Sequence, residues 1–180
     1  MYACLAIIWR LVILSNTNID FNLYSQDPGN ADFKLRLITQ GGPLDIYVRR
    51  RPFLDEFLES MAERFEVGIF TASLREYASK VIQEIDPKGC IQWALYRDAC
   101  SFHKGCMVKD LETLPRPLDR TVLVDDRHAT FRLQRQNGIQ CAAFEGDPDD
   151  TEIKSLQAFL SDLSREKGDL RYSTHKWFEY

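Results

Sequence analysis

Short apolar runs alternate with amphipathic segments along most of this chain, and the alternation predicts its elements. Residues 66–70 and 121–124 are apolar runs too short and too β-branched for helices, so we expect buried strands there. The segments that begin at Pro52 and after Ser73 repeat apolar residues every three or four positions. This spacing predicts helices that pack one face on a sheet.

Period-two alternation marks a hairpin earlier in the chain. Residues 33–37 alternate, Gly41-Gly42-Pro43 supplies a turn, and the pattern returns over 44–48. Further strands are expected at 91–96 and 138–144, and a last helix after Asp149. Strands alternating with helices indicate an α/β fold with a mainly parallel sheet flanked by helices, carrying a β-hairpin insertion at about 33–49. We expect one domain over 1–171 and a C-terminal tail over 172–180.

The first 14 residues are strongly apolar. Arg10 interrupts them, and they fall short of the roughly 20 residues that a spanning helix needs. They also lack the basic start and small-residue cleavage site of a signal peptide. We therefore expect a buried strand at 11–14 and no membrane span, followed by a polar loop to Asn30.

Composition narrows the function classes. A chain of 180 residues with net charge −4 argues against general nucleic-acid binding, and the basic run Arg49-Arg50-Arg51 is expected to be a solvated edge. Five cysteines without close pairs fit a reducing compartment better than a disulfide framework. We expect a monomer in the cytoplasm or nucleus.

Polar residues that could carry chemistry follow three of the predicted strands or lie in the loops beside them. Thr71 and Ser73 precede a helix, Lys109 lies in a polar segment, and Asp125-Asp126 end a buried strand. Hydroxyls and amides at a helix start bind phosphate oxygens, lysine neutralises charge, and paired carboxylates suit Mg²⁺. The pattern indicates phosphoryl chemistry without an obvious nucleophile.

Five ordered motifs then carry a family resemblance: residues 50–58 (Arg-Arg-Pro-Phe-Leu-Asp-Glu-Phe-Leu), 69–74 (Ile-Phe-Thr-Ala-Ser-Leu), 95–100 (Leu-Tyr-Arg-Asp-Ala-Cys), 108–111 (Val-Lys-Asp-Leu) and 122–126 (Val-Leu-Val-Asp-Asp). They resemble the RNA polymerase II C-terminal-domain phosphatases, including the small and dullard phosphatases. The likeness runs from about Leu11 to Arg171. It implies the Rossmann-like fold of the haloacid dehalogenase superfamily.

The resemblance assigns site residues by position. It implies that Thr71 and Lys109 hold the phosphate and that Asp126, with Asp125 beside it, binds Mg²⁺. The family has Asp-Asn at this last pair. Contacts with the phosphorylated protein substrate are expected from four further residues: Ser73, Leu74, Tyr77 and Arg97.

The departure from the family lies at the nucleophile. Family members carry Asp-x-Asp-x-Thr after the first strand, where the first aspartate is phosphorylated and the second acts as general acid and base. An ungapped alignment from residues 30–33 puts Ser15 and Thr17 at these positions, after a first strand at 11–14. Neither side chain preserves the chemistry, and loss of the first carboxylate should weaken Mg²⁺ binding.

Two hypotheses from different classes follow. The first is an Mg²⁺-dependent phosphoserine/phosphothreonine protein phosphatase that works through an aspartyl-phosphate. The second is a catalytically inactive module that binds or scaffolds phosphoproteins, for which a mitochondrial import receptor is a similar relative. Drift after loss of activity would be expected to change Thr71, Lys109 and Asp126 too, and all three match the family.

Two other patterns suggest sites and are weaker. Asp147 to Thr151 also reads Asp-x-Asp-x-Thr, but it follows no buried strand, so we expect a helix cap. Cys100, His103 and Cys106 resemble zinc ligands without a fourth at a familiar spacing, and structural cysteines are the simpler interpretation.

Overall fold

A five-stranded parallel sheet forms the centre of the domain. The computed structural model describes residues 3–7, 12–14 and 29–179. The sheet order is β10-β9-β1-β5-β6, built from β1 Ala3–Ile7, β5 Phe65–Phe70, β6 Trp93–Leu95, β9 Thr121–Asp125 and β10 Gly138–Gln140. All five residues of β9 are buried, as expected for a strand covered on both faces.

Helices cover the sheet: α1 Leu54–Ala62, α2 Arg75–Ile85 and α3 Glu152–Leu163. Each buries an apolar stripe at helical spacing, for example Leu54, Phe57, Leu58 and Met61 in α1. Helices α1 and α3 pack against each other. The predicted α/β class with flanking helices is confirmed.

The hairpin insertion is also confirmed. Strands β3 Phe33–Thr39 and β4 Gly42–Arg50 pair antiparallel, and β2 Val12–Leu14 adds to the other side of β4. Strand β3 is therefore an edge strand. Its exposed residues include Lys34 and Arg36, which both pair with Asp45 on β4.

The structure corrects the position of the first strand. Residues 11–14 were expected to lead into the catalytic motif, but Val12–Leu14 pairs with β4 in the second sheet. The central strand of the main sheet is Ala3–Ile7. Its residue Ile7 pairs with Ile69 of β5 on one side and with Val124 of β9 on the other. The apolar start of the chain thus contains two strands, β1 and β2, and β1 is the one that lies between β5 and β9. Ser15 and Thr17 lie outside the described residues.

Arg51 corrects one further expectation, and two other segments show structure that the sequence analysis did not predict. Arg51 is not at a solvated edge: it is 2% exposed and forms a bidentate pair with Asp150 at 2.8 Å. The polar segment after Arg97 contains a hairpin, β7 Ser101–His103 and β8 Cys106–Val108. The tail joins the domain, because Trp177 is 8% exposed and its Nε1 donates to the Gln140 carbonyl at 2.7 Å.

Candidate functional site

The predicted phosphate-binding turn lies at the carboxyl end of β5. Thr71 follows β5 directly, is 2% exposed, and its N–H donates to the Leu95 carbonyl on β6 at 2.9 Å. Its hydroxyl oxygen accepts the N–H of Ser73 at 3.0 Å. These bonds fix the turn immediately before α2, where helical N–H groups are suited to an anion.

Arg97, the first residue of the 3₁₀ helix that follows β6, holds this turn in place. Its Nε donates to the Ala72 carbonyl at 2.6 Å, and its main-chain N–H donates to the Ser73 carbonyl at 3.0 Å. Leu74 is 52% exposed at the start of α2, and Tyr77 is half-buried in the first turn. Three of the four residues predicted for substrate binding therefore belong to one segment, and the fourth, Arg97, bonds to it.

Lys109 and Asp125 form a buried ion pair. Their side chains are 5% and 1% exposed, and Lys109 Nζ lies 2.9 Å from Asp125 Oδ2. Asp125 also accepts the Thr130 hydroxyl at Oδ2 and the Arg127 N–H at Oδ1, the latter at 2.8 Å. The buried carboxylate therefore has its charge and lone pairs matched by the chain itself.

Cys100 lies beside the turn. Its Sγ lies 3.6 Å from the Thr71 carbonyl. Burial raises the pKa of the Cys100 thiol, while the positive charges of Lys109 and Arg97 act in the opposite direction. Because β5 and β9 both pair in parallel with β1, the turn at Thr71 and the carboxylate of Asp125 lie at the same carboxyl edge of the sheet, where ligands of open α/β sheets bind. Arg97 bonds to the turn and Lys109 bonds to Asp125 at this edge.

Asp126 is half-buried beyond the end of β9, and its main-chain carbonyl accepts Gln140 Nε2 at 3.1 Å. Asp125 and Asp126 offer the oxygens that Mg²⁺ prefers. Within residues 29–177 and 3–5, no group of three or more His, Cys, Asp or Glu is arranged to hold a metal ion. The two acids thus fit part of an Mg²⁺ site, and this finding gives the Cys100, His103 and Cys106 zinc pattern no support.

The Asp-x-Asp-x-Thr segment near the C-terminus forms a helix start. Asp150 Oδ1 accepts the N–H of Glu152, the first residue of α3, at 3.0 Å, and Asp147 Oδ1 accepts the N–H of Asp149. The segment begins α3 as expected, but the acceptor is Asp150, the residue before the N-cap Thr151, whose own side chain makes no cap bond. The same Asp150 also forms the ion pair with the buried Arg51, so this segment has a structural role.

A cavity of about 580 Å³ opens at the opposite, amino end of the sheet. Its two arginines have partners within the fold: Arg116 bonds to the Glu66 carboxylate at 2.6 and 2.7 Å, and Arg120 bonds to the carbonyls of Glu166 and Gly168. Both arginines of the cavity are therefore committed to partners within the fold.

Comparison with known proteins decides the family. The family model for NLI interacting factor-like phosphatases matches residues 12–171. The chain belongs to this family. The match confirms the resemblance to RNA polymerase II C-terminal-domain phosphatases. It begins after Ala3–Ile7, so the strand at the centre of the sheet lies outside the matched residues.

Similar proteins include small phosphatases named for RNA polymerase II, in agreement with the family match. Mouse C-terminal-domain RNA polymerase II polypeptide A small phosphatase 2 is 40% identical over 135 residues, 75% of this chain and 50% of the relative. Human small phosphatase 1 is 39% identical over 136 residues, 76% and 52% respectively. The chain spans about half the length of these curated relatives.

Solved structures support the fold. The structure of Fcp1, an essential RNA polymerase II C-terminal-domain phosphatase, aligns with TM-score 0.76 at 18% identity and covers 97% of this chain and 70% of that one. A fission yeast Fcp1 variant bound to beryllium fluoride aligns with TM-score 0.62 at 19% identity, covering 99% and 62%. The haloacid dehalogenase fold is thereby confirmed.

Sequence reasoning missed Thr130 as part of the site. It lies five residues beyond Asp125 and is 7% exposed. A polar residue beside the buried Phe131 was its only signal in the sequence.

In the described part of the chain, no helix is long and apolar enough to cross a membrane.

Proposed function

We propose that this NLI interacting factor-like domain acts on phosphoserine or phosphothreonine in proteins, with hydrolysis of the phosphate ester as its reaction. The observation that carries the proposal is the placement of the Thr71 turn and the Lys109–Asp125 pair at the same carboxyl edge of the parallel sheet. Membership of a phosphatase family supports the same chemistry.

Each residue has a proposed role. The phosphate oxygens would accept hydrogen bonds from the turn that holds Thr71 and Ser73, with Lys109 supplying positive charge. Arg97 would add a guanidinium beside the turn, since its Nε already fixes the Ala72 carbonyl. The exposed apolar side chain of Leu74 and the neighbouring Tyr77 would contact residues next to the phosphorylated one.

We propose Mg²⁺ as the cofactor. Asp126, with Asp125 beside it, would hold the ion, which when bound supplies positive charge against the phosphate. Lys109 and Thr130 already contact Oδ2 of Asp125, so we expect Asp126 to be the stronger ligand of the two. This arrangement predicts weak binding of Mg²⁺ in the absence of a phosphate.

A second candidate, a non-catalytic phosphoprotein-binding module, is favoured by one observation. Residues 1–19 contain no aspartate or glutamate. The family alignment puts Ser15 and Thr17 at the nucleophile and acid/base positions, and the residues that follow β1 are Ile8, Trp9 and Arg10. Neither alternative provides a carboxylate, which an aspartyl-phosphate requires.

One experiment separates the candidates. Binding and hydrolysis of a phosphoserine peptide are measured with Mg²⁺ for the natural chain and for two restored variants, Ser15→Asp with Thr17→Asp and Ile8→Asp with Arg10→Asp. Phosphate release by the natural chain supports the phosphatase, and binding without release supports the module. Release by only one restored variant identifies which strand precedes the motif.

The control tests the site itself. Lys109→Met should weaken peptide binding at least about tenfold, because a charge-assisted hydrogen bond is lost. Lys88→Met removes an exposed lysine that pairs with Glu59, and it should leave binding unchanged. Equal binding by the natural chain and the Lys109 variant, or no binding by any form, would overturn the proposal.

The partner is proposed to be a phosphorylated protein of the nucleus or cytoplasm. The names of the small phosphatase relatives specify the C-terminal domain of RNA polymerase II, and we carry over only the class of phosphoprotein. A monomer that makes no direct contact with nucleic acid remains our expectation from the net charge of −4.

A further inference from the structure

The segment from Asp125 to Thr130 closes on itself through hydrogen bonds. The Arg127 N–H donates to Asp125 Oδ1 at 2.8 Å, and the Thr130 N–H donates to the Arg127 carbonyl at 2.9 Å. The Thr130 hydroxyl reaches Asp125 Oδ2 and lies 2.7 Å from the Arg127 carbonyl. The loop therefore returns Thr130 to the carboxylate at the end of β9.

Thr130 also holds the other member of the ion pair. Its carbonyl accepts the main-chain N–H of Lys109 at 2.7 Å, and Lys109 Nζ meets the same Asp125 oxygen as the Thr130 hydroxyl. One residue is thus bonded to the main chain of the cation and to the side chain of the anion. Thr130 is 7% exposed, so water competes little for these bonds.

We propose that Thr130 is a positioning residue that sets the geometry of Lys109 and Asp125 for phosphate binding. The inference rests on the proposed function, since it concerns the same site. Thr130 acts through the ion pair, and the phosphate would contact Lys109.

The chemistry of the hydroxyl explains why the position matters. A hydroxyl has one proton, and here two acceptors, Asp125 Oδ2 and the Arg127 carbonyl, compete for it. The hydroxyl and the Lys109 ammonium both donate to the same oxygen, Asp125 Oδ2, and so share its negative charge. Without the hydroxyl, Oδ2 would interact with the ammonium alone and leave less of the lysine charge for the phosphate.

The test compares isosteric variants. Thr130→Val keeps the side-chain shape and removes the hydroxyl, whereas Thr130→Ser retains it. Affinity for a phosphoserine peptide is measured by calorimetry with Mg²⁺ at a temperature where every variant is folded by circular dichroism. We expect about tenfold weaker binding for the valine variant. The serine variant should stay within about twofold of the natural chain.

Thr174→Val is the matched control. Thr174 is a threonine 5% exposed, and its hydroxyl donates to the Gln136 carbonyl at 2.8 Å, away from Lys109 and Asp125. Its loss should lower the thermal midpoint while peptide affinity stays unchanged. Unaltered affinity in Thr130→Val, or an equal loss in Thr174→Val, would overturn the positioning role.

A measurement on the natural chain covers the case in which Thr130→Val does not fold. A hydroxyl proton held by a buried carboxylate exchanges slowly with water and gives a resolved NMR signal with contacts to Asp125. Absence of that signal would contradict the inference. Failure of the natural chain to bind the peptide, with the signal present, would instead count against the proposed function.

Discussion

At the scale of single residues, the Lys109–Asp125 pair contributes to stability as well as to the candidate site. Both side chains are almost fully buried, and each neutralises the other. Removing one member leaves a buried charge without its partner, which costs far more than loss of an exposed pair.

Lys109→Met should therefore lower the free energy of unfolding by about 3 kcal/mol. The double variant with Asp125→Leu should recover part of that loss, because both charges are then absent. Urea unfolding of the two single variants and the double variant measures the coupling. Lys88→Met, in an exposed pair with Glu59, is the control and should cost under about 1 kcal/mol. Additive effects of Lys109→Met and Asp125→Leu would contradict the pairing.

The cysteines give a second prediction at this scale. Burial raises the pKa of Cys4 and of Cys141 to about 12, so almost no thiolate forms near pH 8. Native protein treated with iodoacetamide at pH 8 should stay unmodified at both, and both should react in urea. Because folding raises the pKa of both thiols, the free energy of unfolding keeps their full contribution below pH 9. That contribution declines as the pH rises toward 12, because the unfolded chain then loses these protons first. Rapid native labelling of Cys141, detected by peptide mass spectrometry, would refute its burial.

At the scale of elements, close packing of β5 on β6 explains a glycine in a buried strand. A Cβ on Gly68 would lie 2.1 Å from Cε2 of Trp93, far inside contact distance. The missing side chain lets the indole lie over the strand. The candidate turn at Thr71 follows three residues later on the same strand, so this packing supports the site.

Gly68→Ala should destabilise the domain by about 2 to 3 kcal/mol, because the indole must move to admit the methyl group. Adding Trp93→Leu should relieve the clash, so the double variant should lose less than the two single effects added together. Thermal and urea unfolding provide the values. Gly168→Ala is the control, since no atom lies within 4 Å of its Cβ position, and it should change stability by under about 0.5 kcal/mol.

At the scale of the whole molecule, the C-terminal segment completes the domain. Trp177 packs its ring 5.5 Å from that of Phe159 on α3 and bonds to Gln140 on β10, which is an edge strand of the main sheet. The same Gln140 donates through its side chain to the Asp126 carbonyl. The segment therefore joins a helix, a sheet edge and the candidate metal end of the site.

Trp177→Ala should lower the free energy of unfolding by about 3 to 5 kcal/mol, as for other large buried aromatic residues. Calorimetric melting detects the change as a lower midpoint. His175→Ala, two residues away and exposed, should have little effect. A Trp177 variant as stable as the natural chain would show that the segment is a separate tail after all.

Most of the fold followed from periodicity, and the exceptions have physical causes. Phe57 and Leu58 predicted the buried face of α1 because helix spacing is a local property. The assignment of the central strand failed because residues 3–7 and 11–14 are both apolar, and only pairing with β5 and β9 distinguishes them. Arg51 looked exposed because its partner, Asp150, is 99 residues away in sequence.

Part of the geometry of the candidate site was predictable. Residue types at strand ends and in a neighbouring polar segment identified Thr71, Lys109 and Asp125 as candidates, and the structure pairs Lys109 with Asp125. Their roles toward phosphate and metal stay predictions. The contact of Thr130 with Asp125 depends on the path of a short loop, which composition does not encode. The catalytic assignment of Ser15 and Thr17 stays a prediction.

The ion pair between Lys109 and Asp125 has an evolutionary consequence. A residue kept because the fold needs it survives even after the reaction it once served has been lost. Since these two side chains stabilise each other inside the protein, selection for foldability alone would preserve them in a copy without activity. The match of Lys109 to the family is therefore no argument that activity is kept, contrary to the expectation from drift. Residues with no structural role, such as the exposed Leu74, are better reporters of whether substrate recognition is still under selection.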